Sequence, residues 1–252
     1  MDLDAAATQL LADYDSKNIG TIFNQAQFTI EQAYEIQRRV ASLREQRGET
    51  VIGYKVGCVS PALRESMGIF HPVFGRLFDS EQWESGVRLD PSQFATPAIE
   101  GELAVVLKGD LHTANPSDAA LVDAIDCVFV VIEMHNKVFR QSPGAPELIA
   151  NNAIHAGVIQ TQQKASIVPD VPGPLQVFID DVQVASVSGA DLRSTVFDSL
   201  RWLTQALKHQ NQALRAGQTV LCGTISGMHP IEAGTEVEIT TEHFGSVSMR
   251  FG

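Results

Sequence analysis

The chain has 252 residues, with 30 acidic against 18 basic side chains and a formal net charge of −12. That surplus of acid argues against a nucleic-acid surface, which needs clustered Lys and Arg. With 44% hydrophobic and 19% charged residues the composition is that of a globular core, and no run of about 18 apolar residues is present to span a membrane.

The start, Met1-Asp2-Leu3-Asp4, is acidic where a secretory leader would be basic, so a cytoplasmic protein is expected. Cys58, Cys127 and Cys222 are far apart in sequence, form no C-x-x-C pair, and read as buried reduced thiols. The first 50 residues read as helical. Asp4 to Tyr14 is Ala-rich and carries Leu10 and Leu11. Thr29-Ile30-Glu31-Gln32 has the form of a capping box, and Ala33, Ile36, Val40 and Leu43 follow at helical spacing until Gly48.

From Val51 onward short apolar runs are broken by Gly, Pro, Asp and Ser. Strands are predicted at Val51–Val56, Ala98–Leu107, Cys127–Glu133, Ala156–Gln160, Leu175–Ile179, Thr219–Gly223, Glu236–Thr241 and Ser246–Phe251. A helix from about Ser194 to Gln210 carries the stripe Val196, Leu200, Leu203 and Leu207. Many strands, few helices and no βαβ rhythm predict an α+β body.

The chemistry-bearing residues sit on the predicted strands. In Ala98-Ile99-Glu100-Gly101-Glu102, residues i and i+2 of a strand share a face, so Glu100 and Glu102 point the same way. Either this strand end dips into solvent, or the two carboxylates share a cation. Glu133 closes the apolar run Cys127–Ile132 and is either at the surface or employed. Three carboxylate oxygens suit Mg²⁺ or Mn²⁺ better than zinc and leave open positions for a 2-oxo acid and water. Lys55, in Ile52-Gly53-Tyr54-Lys55-Val56-Gly57, either snorkels outward or is held in a site.

At these residues the chain resembles the fumarylacetoacetate hydrolase superfamily, in particular its 2-keto-4-pentenoate hydratase / 4-oxalocrotonate decarboxylase branch. The resemblance runs from about Gly53 to the C-terminus. It is carried by Gly53-Tyr54-Lys55-Val56-Gly57 with Ser60-Pro61, by Pro97-Ala98-Ile99-Glu100-Gly101-Glu102-Leu103-Ala104, by Glu133, and by Phe244-Gly245-Ser246-Val247-Ser248-Met249-Arg250-Phe251. It implies a mixed β-roll over residues 76–252, with a helical N-terminal region over residues 1–75, forming one compact unit. It also implies a Mg²⁺ or Mn²⁺ site at Glu100, Glu102 and Glu133, and Lys55 and Asp79 close to the substrate as catalytic groups. Val56, Gly57 and Thr224 would contact the substrate. A homo-oligomer is implied, in some cases associated with a related enzyme.

The chain departs from the branch's pattern in three places. Met134-His135-Asn136 stands where Asp-Ser-Arg is common, Asn151-Asn152-Ala153-Ile154 replaces Asp-Asn-Ala-Ser, and Leu192-Arg193-Ser194 occupies the region of a usual Gly-His-Pro. These changes remove a cation and a hydroxyl while leaving the Glu set intact. His135 either takes over one such contact or is an ordinary packed histidine.

The resemblance implies hydration of a 2-hydroxy-2,4-dienoate, with Lys55 as proton donor or enolate-steadying charge and Asp79 as base for the water. Decarboxylation of a 2-oxo acid is the alternative. Hydrolysis of acylpyruvates is a third, disfavoured because no histidine precedes His71. A catalytically silent partner subunit is a fourth, favoured by Met134-His135-Asn136 and opposed by the Glu set and Lys55. Arg64, Arg76 and Arg140 are candidates for a distal carboxylate.

Overall fold

The computed structural model describes residues 2–20, 28–139, 143–165 and 172–252. Helix α1 (Leu3–Ser16) opens on Asp2, whose carboxylate accepts from the amides of Asp4 and Ala5. Helix α2 (Ile30–Gln46) opens on the expected reciprocal box between Thr29 and Gln32. Ala33 and Ile36 of α2 are buried with Ala6, Ala7 and Leu10 of α1 in one apolar cluster.

Among the described residues the strands are β1 (Val51–Gly57), β2 (Val73–Phe78), β3 (Gln82–Glu84), β4 (Val87–Leu89), β5 (Pro97–Leu107), β6 (Ile125–Asn136), β7 (His155–Gln160), β8 (Leu175–Ile179), β9 (Val182–Val187), β10 (Thr219–Leu221), β11 (Met228–Pro230), β12 (Glu236–Thr241) and β13 (Gly245–Phe251). The larger sheet has the order β2-β1-β10-β5-β6-β7-β3, with β11 also on β5, and the smaller has the order β4-β13-β12-β8-β9. Both are mixed: β1 and β10, β3 and β7, and β4 and β13 pair in parallel. This is the α+β β-roll expected from the sequence.

The two sheets press apolar faces together. Leu103, Val128 and Val130 of the larger sheet share a core with Val177, Val237, Ile239 and Val247 of the smaller. Gly101 explains the gap between the two glutamates. A Cβ there would stand 2.7 Å from Ile239 Cδ1 of the crossing sheet, so the position admits no side chain. Glu100 and Glu102 consequently project from the opposite face.

Short helices α3 (Pro61–Ser66), α4 (Asp118–Ala124) and α5 (Ala145–Ala150) interrupt the strands, and α6 (Gly189–His209) buries Val196, Leu200, Leu203 and Leu207 in the main core. Each such side chain contributes roughly 1.5–3 kcal/mol before conformational entropy is counted. Helix α6 starts five residues before the predicted Ser194, because the Ser188 hydroxyl accepts from the Asp191 amide and caps the helix there.

The expected division at residue 75 does not coincide with a structural boundary. β1 and β2 pair from Val51↔Phe78 to Gly57↔Val73 and both belong to the larger sheet, so the cut would fall within β2. The helical layer is joined to the end of that sheet by Arg44, buried 2.8 Å from Glu81 Oε1 and, through Nε, 2.8 Å from Glu49 Oε2. Tyr14 of α1 donates to the same Glu81 oxygen at 2.8 Å. Among the described residues no helix is long and apolar enough to cross a membrane.

Candidate metal centre

Antiparallel pairing sets Glu100 of β5 directly across from Glu133 of β6. Glu102 lies two residues from Glu100, and His135 two from Glu133, so all four project from one face. Lys55 reaches in from β1, with Nζ 3.2 Å from Glu133 Oε1 and 3.2 Å from the Ala153 carbonyl. His155 Nδ1 lies 2.8 Å from the same Glu133 oxygen. His135 Nε2 is 3.0 Å from Glu100 Oε2, without the alignment of a hydrogen bond, and 3.8 Å from Glu133 Oε2. The Gly223 amide donates to Glu102 Oε2. Lys55, Glu102, Glu133 and both histidines are buried, whereas Glu100 keeps a 16% exposed side chain on the open side.

Two irregularities aim these groups. Along β6 and β7, Met134 pairs with Gly157 but His135 pairs with His155, so Ala156 is an extra residue. This bulge brings His155 opposite His135. Gly157, at φ +145°, also lets Trp83 pass, whose ring would lie 2.1 Å from a Cβ. The second irregularity is the turn Asn152–Ile154, in which three non-glycine residues have φ of 56°, 50° and 59°. Such backbone is strained by about 1 kcal/mol or more per residue and persists where its surroundings enforce it. Here the Asn152 side chain accepts from the Arg76 amide at 2.7 Å and donates to the Arg76 carbonyl at 2.8 Å. The turn directs Ala153 O to Lys55 Nζ and, at 3.4 Å, Ile154 O to His135 Nδ1.

Burial and then the charge of Glu133 push Glu102 well above the usual carboxylate range. For Glu133 burial works the same way, but Lys55 and the neighbouring imidazoles outweigh it and hold the group low. Burial alone would lower the Lys55 ammonium. The charges of Glu133, Glu100 and Glu102 outweigh that and raise it above an ordinary lysine.

The donor set fits a divalent cation. Glu102 Oε1, Glu133 Oε2 and His135 Nε2 are buried without a hydrogen-bond partner, a state that adjacent carboxylates sustain when a cation is shared between them. One atom each of Glu100, Glu133 and His135 lies within 4.8 Å of the others. Glu102 is outside that group of three; the charge of Glu133 acts on it, and the Gly223 amide holds its Oε2.

The other predicted site residues divide. Gly57 belongs here, since a Cβ on it would come 3.3 Å from Lys55 Nζ. Val56 buries its side chain in the main core, on the opposite face of the strand from Lys55. Thr224 follows Gly223, but its hydroxyl is committed to Gly101 O at 2.9 Å and Ser226 Oγ at 2.7 Å. Asp79 is not at the centre. It is exposed, and its Oδ1 accepts from the Thr50 amide at 2.9 Å. That is five residues, roughly 16 Å of strand, from Lys55.

Of the arginines, Arg76 is buried against Gln37 Oε1 of α2. Arg64 donates to Cys58 O and Val59 O at 3.1 and 2.6 Å and lines a cavity of about 570 Å³. Arg140 lies outside the described residues. His155 carries no sequence signal of its own, because a bulge decides where it faces; the Asn152–Ile154 turn shows in the sequence only as a departure from the branch's Asp-Asn-Ala-Ser, which does not reveal its backbone conformation.

Residues 84–251 match the family described as fumarylacetoacetate (FAA) hydrolase C-terminal. The 2-hydroxyhexa-2,4-dienoate hydratase of Comamonas testosteroni is 27% identical over 238 residues, spanning 90% of this chain and 88% of the relative. The 4-oxalocrotonate decarboxylase of Pseudomonas sp. (strain CF600) is 26% identical, over 95% of this chain and 92% of its own. Among solved structures, 4-oxalocrotonate decarboxylase from Pseudomonas putida G7, complexed with magnesium and adipate, superposes with a TM-score of 0.92 at 25% identity. That match covers 99% of this chain and 97% of the other. The chain belongs to the fumarylacetoacetate hydrolase family.

Proposed function

We propose that this protein is a divalent-metal-dependent hydratase. It would take a 2-hydroxy-2,4-dienoate, by way of its 2-oxo-3-enoate tautomer, to a 4-hydroxy-2-oxo acid. The observation that carries the reading is the convergence of Glu100, Glu102 and Glu133 on one sheet face, with buried Lys55 against Glu133. Those three carboxylates would hold Mg²⁺ or Mn²⁺. When bound, the ion supplies Lewis-acid stabilisation of the negative charge on the C2 oxygen of a 2-oxo acid.

The chain's own residues supply the rest. The Lys55 ammonium, kept charged by its carboxylate neighbours, steadies the enolate or delivers the proton to C5. Gly57 leaves the approach to that ammonium free of a side chain. The hydroxyls of Thr224 and Ser226, both bonded to Gly101 O, hold the turn from which the Gly223 amide meets Glu102. Hydratase relatives support this reaction. Decarboxylation of a 2-oxo acid at the same residues is the second reading, favoured by the superposition on the decarboxylase.

The test is ultraviolet decay of freshly generated 2-hydroxypenta-2,4-dienoate with Mg²⁺, with EDTA, and with Glu102→Gln protein. Metal-dependent decay to a 4-hydroxy-2-oxo acid, lost in the variant, is expected. Bound metal without decay, but with CO₂ released from 4-oxalocrotonate, would move the assignment to the decarboxylase.

A further inference from the structure

His135 lies two residues beyond Glu133 on the same face of β6, and the residues around it give it a specific capability. Its ring is buried, and Nε2 is turned towards Glu100 and Glu133 with no hydrogen-bond partner. At the other end Nδ1 lies 3.4 Å from the Ile154 carbonyl. A carbonyl only accepts, so Nδ1 carries the hydrogen, and in the neutral ring Nε2 keeps its lone pair. Metal-binding histidines are oriented in this way, with the remote N–H on a backbone carbonyl. The strained Asn152–Ile154 turn is what presents that carbonyl.

The His135–Glu100 distance matches a shared ion, and the His135–Glu133 distance falls between the adjacent and opposite spacings. Adjacent donors around an octahedral ion at about 2.1 Å are about 3.0 Å apart, and opposite donors about 4.2 Å. His135 Nε2 is 3.0 Å from Glu100 Oε2 and 3.8 Å from Glu133 Oε2, and the three residues' ligand atoms all fall within 4.8 Å.

We infer that His135 is a further ligand of the ion, bound through Nε2 beside Glu100 and Glu133, and that it turns the site's preference from Mg²⁺ towards Mn²⁺ and Co²⁺. This rests on the metal-site reading above and deepens it. Carboxylates alone suit Mg²⁺ and Mn²⁺ alike, while an added imidazole nitrogen favours the transition ions, increasingly from Mn²⁺ to Co²⁺. The competing arrangement is an imidazolium that ion-pairs with Glu100 and touches no metal.

The deciding measurement is electron spin echo envelope modulation on the full-length protein loaded with Mn²⁺, beside competition of Mn²⁺ against Mg²⁺. The expected result is one Mn²⁺ per chain with nitrogen-14 modulation that persists in His155→Gln and disappears in His135→Gln. The Mn²⁺-over-Mg²⁺ preference should fall at least tenfold in His135→Gln. If that variant does not fold, the wild-type spectrum together with His155→Gln decides the matter. Bound Mn²⁺ without nitrogen modulation, or modulation lost only in His155→Gln, overturns the His135 ligand and leaves the hydratase reading standing. No binding of either ion overturns the metal site itself, and this inference with it.

Discussion

Lys55 Nζ and Glu133 Oε1 lie 3.2 Å apart, and both side chains are almost wholly shielded from solvent. One ammonium faces three carboxylates there, so the site is rich in negative charge. Buried charges in such numbers cost stability unless each is matched. The centre is consequently a place where the fold trades stability for a function, and most of its testable consequences follow from that imbalance.

Replacing Lys55 by Met should lower turnover at least tenfold while leaving metal binding in place, because the carboxylates remain. Without metal the same variant should be destabilised by about 3–5 kcal/mol, since Glu133 loses its cation. Excess Mg²⁺ should restore most of the loss. Steady-state rates, elemental analysis and thermal unfolding with and without EDTA check the three parts; unchanged turnover would remove Lys55 from the reaction.

Glu102 has the opposite character. Burial and Glu133 disfavour its charge, and Oε1 has no donor. Glu102→Gln therefore relieves repulsion in the metal-free protein. Its Tm in EDTA should exceed the wild type's by a few degrees, at roughly 2–4 °C per kcal/mol for a chain of this size. In the wild type, metal at 100 times Kd should add about 2.7 kcal/mol. The variant should lose that increment. A metal-dependent Tm shift as large in Glu102→Gln as in the wild type would exclude Glu102 as a ligand.

Asp79→Asn should leave turnover within about twofold of wild type. The residue is exposed, and its role is to accept from the Thr50 amide where β1 begins, which an Asn oxygen also does. A loss of two orders of magnitude in kcat, with folding intact, would reinstate Asp79 as the base.

Much of the architecture is legible from local patterns. The Thr29 and Gln32 box, the eight apolar runs and the stripe of α6 each record one periodicity, and each forms the predicted element. β2 escapes notice because Gly75 and Arg76 interrupt its apolar run, yet all its residues are buried: Gly75 lies against Asn152, and Arg76 finds Gln37. At the site, the spacing of Glu100 and Glu102 places them on one face, but their meeting with Glu133 depends on the register of β5 and β6. His155 is beyond any pattern, since one extra residue at Ala156 decides which side chain faces His135. Asp79 misleads for a related reason: its position in the chain says nothing of which end of β1 it pairs beside.

The Arg44 cluster gives a pH-dependent prediction. Burial alone would raise Glu49, but hydrogen bonds from Arg44, Ser80 and Arg47 outweigh it and bring the group down to about 2. A carboxylate with a depressed folded-state value stabilises the fold above its unfolded value, and that contribution is lost as pH falls through the folded one. For Glu49 the loss should run from about pH 4.5 down to about pH 2. Arg44→Met leaves the buried Glu81 and the half-buried Glu49 without their shared cation and should cost about 3–5 kcal/mol at pH 7. Because that variant has lost the Arg44 share of the stabilisation, while Arg47 and Ser80 still bond Glu49, its urea midpoint should fall less steeply than the wild type's between pH 5 and pH 3. Parallel acid slopes in the two proteins would show that the guanidinium does not hold Glu49 in its charged form.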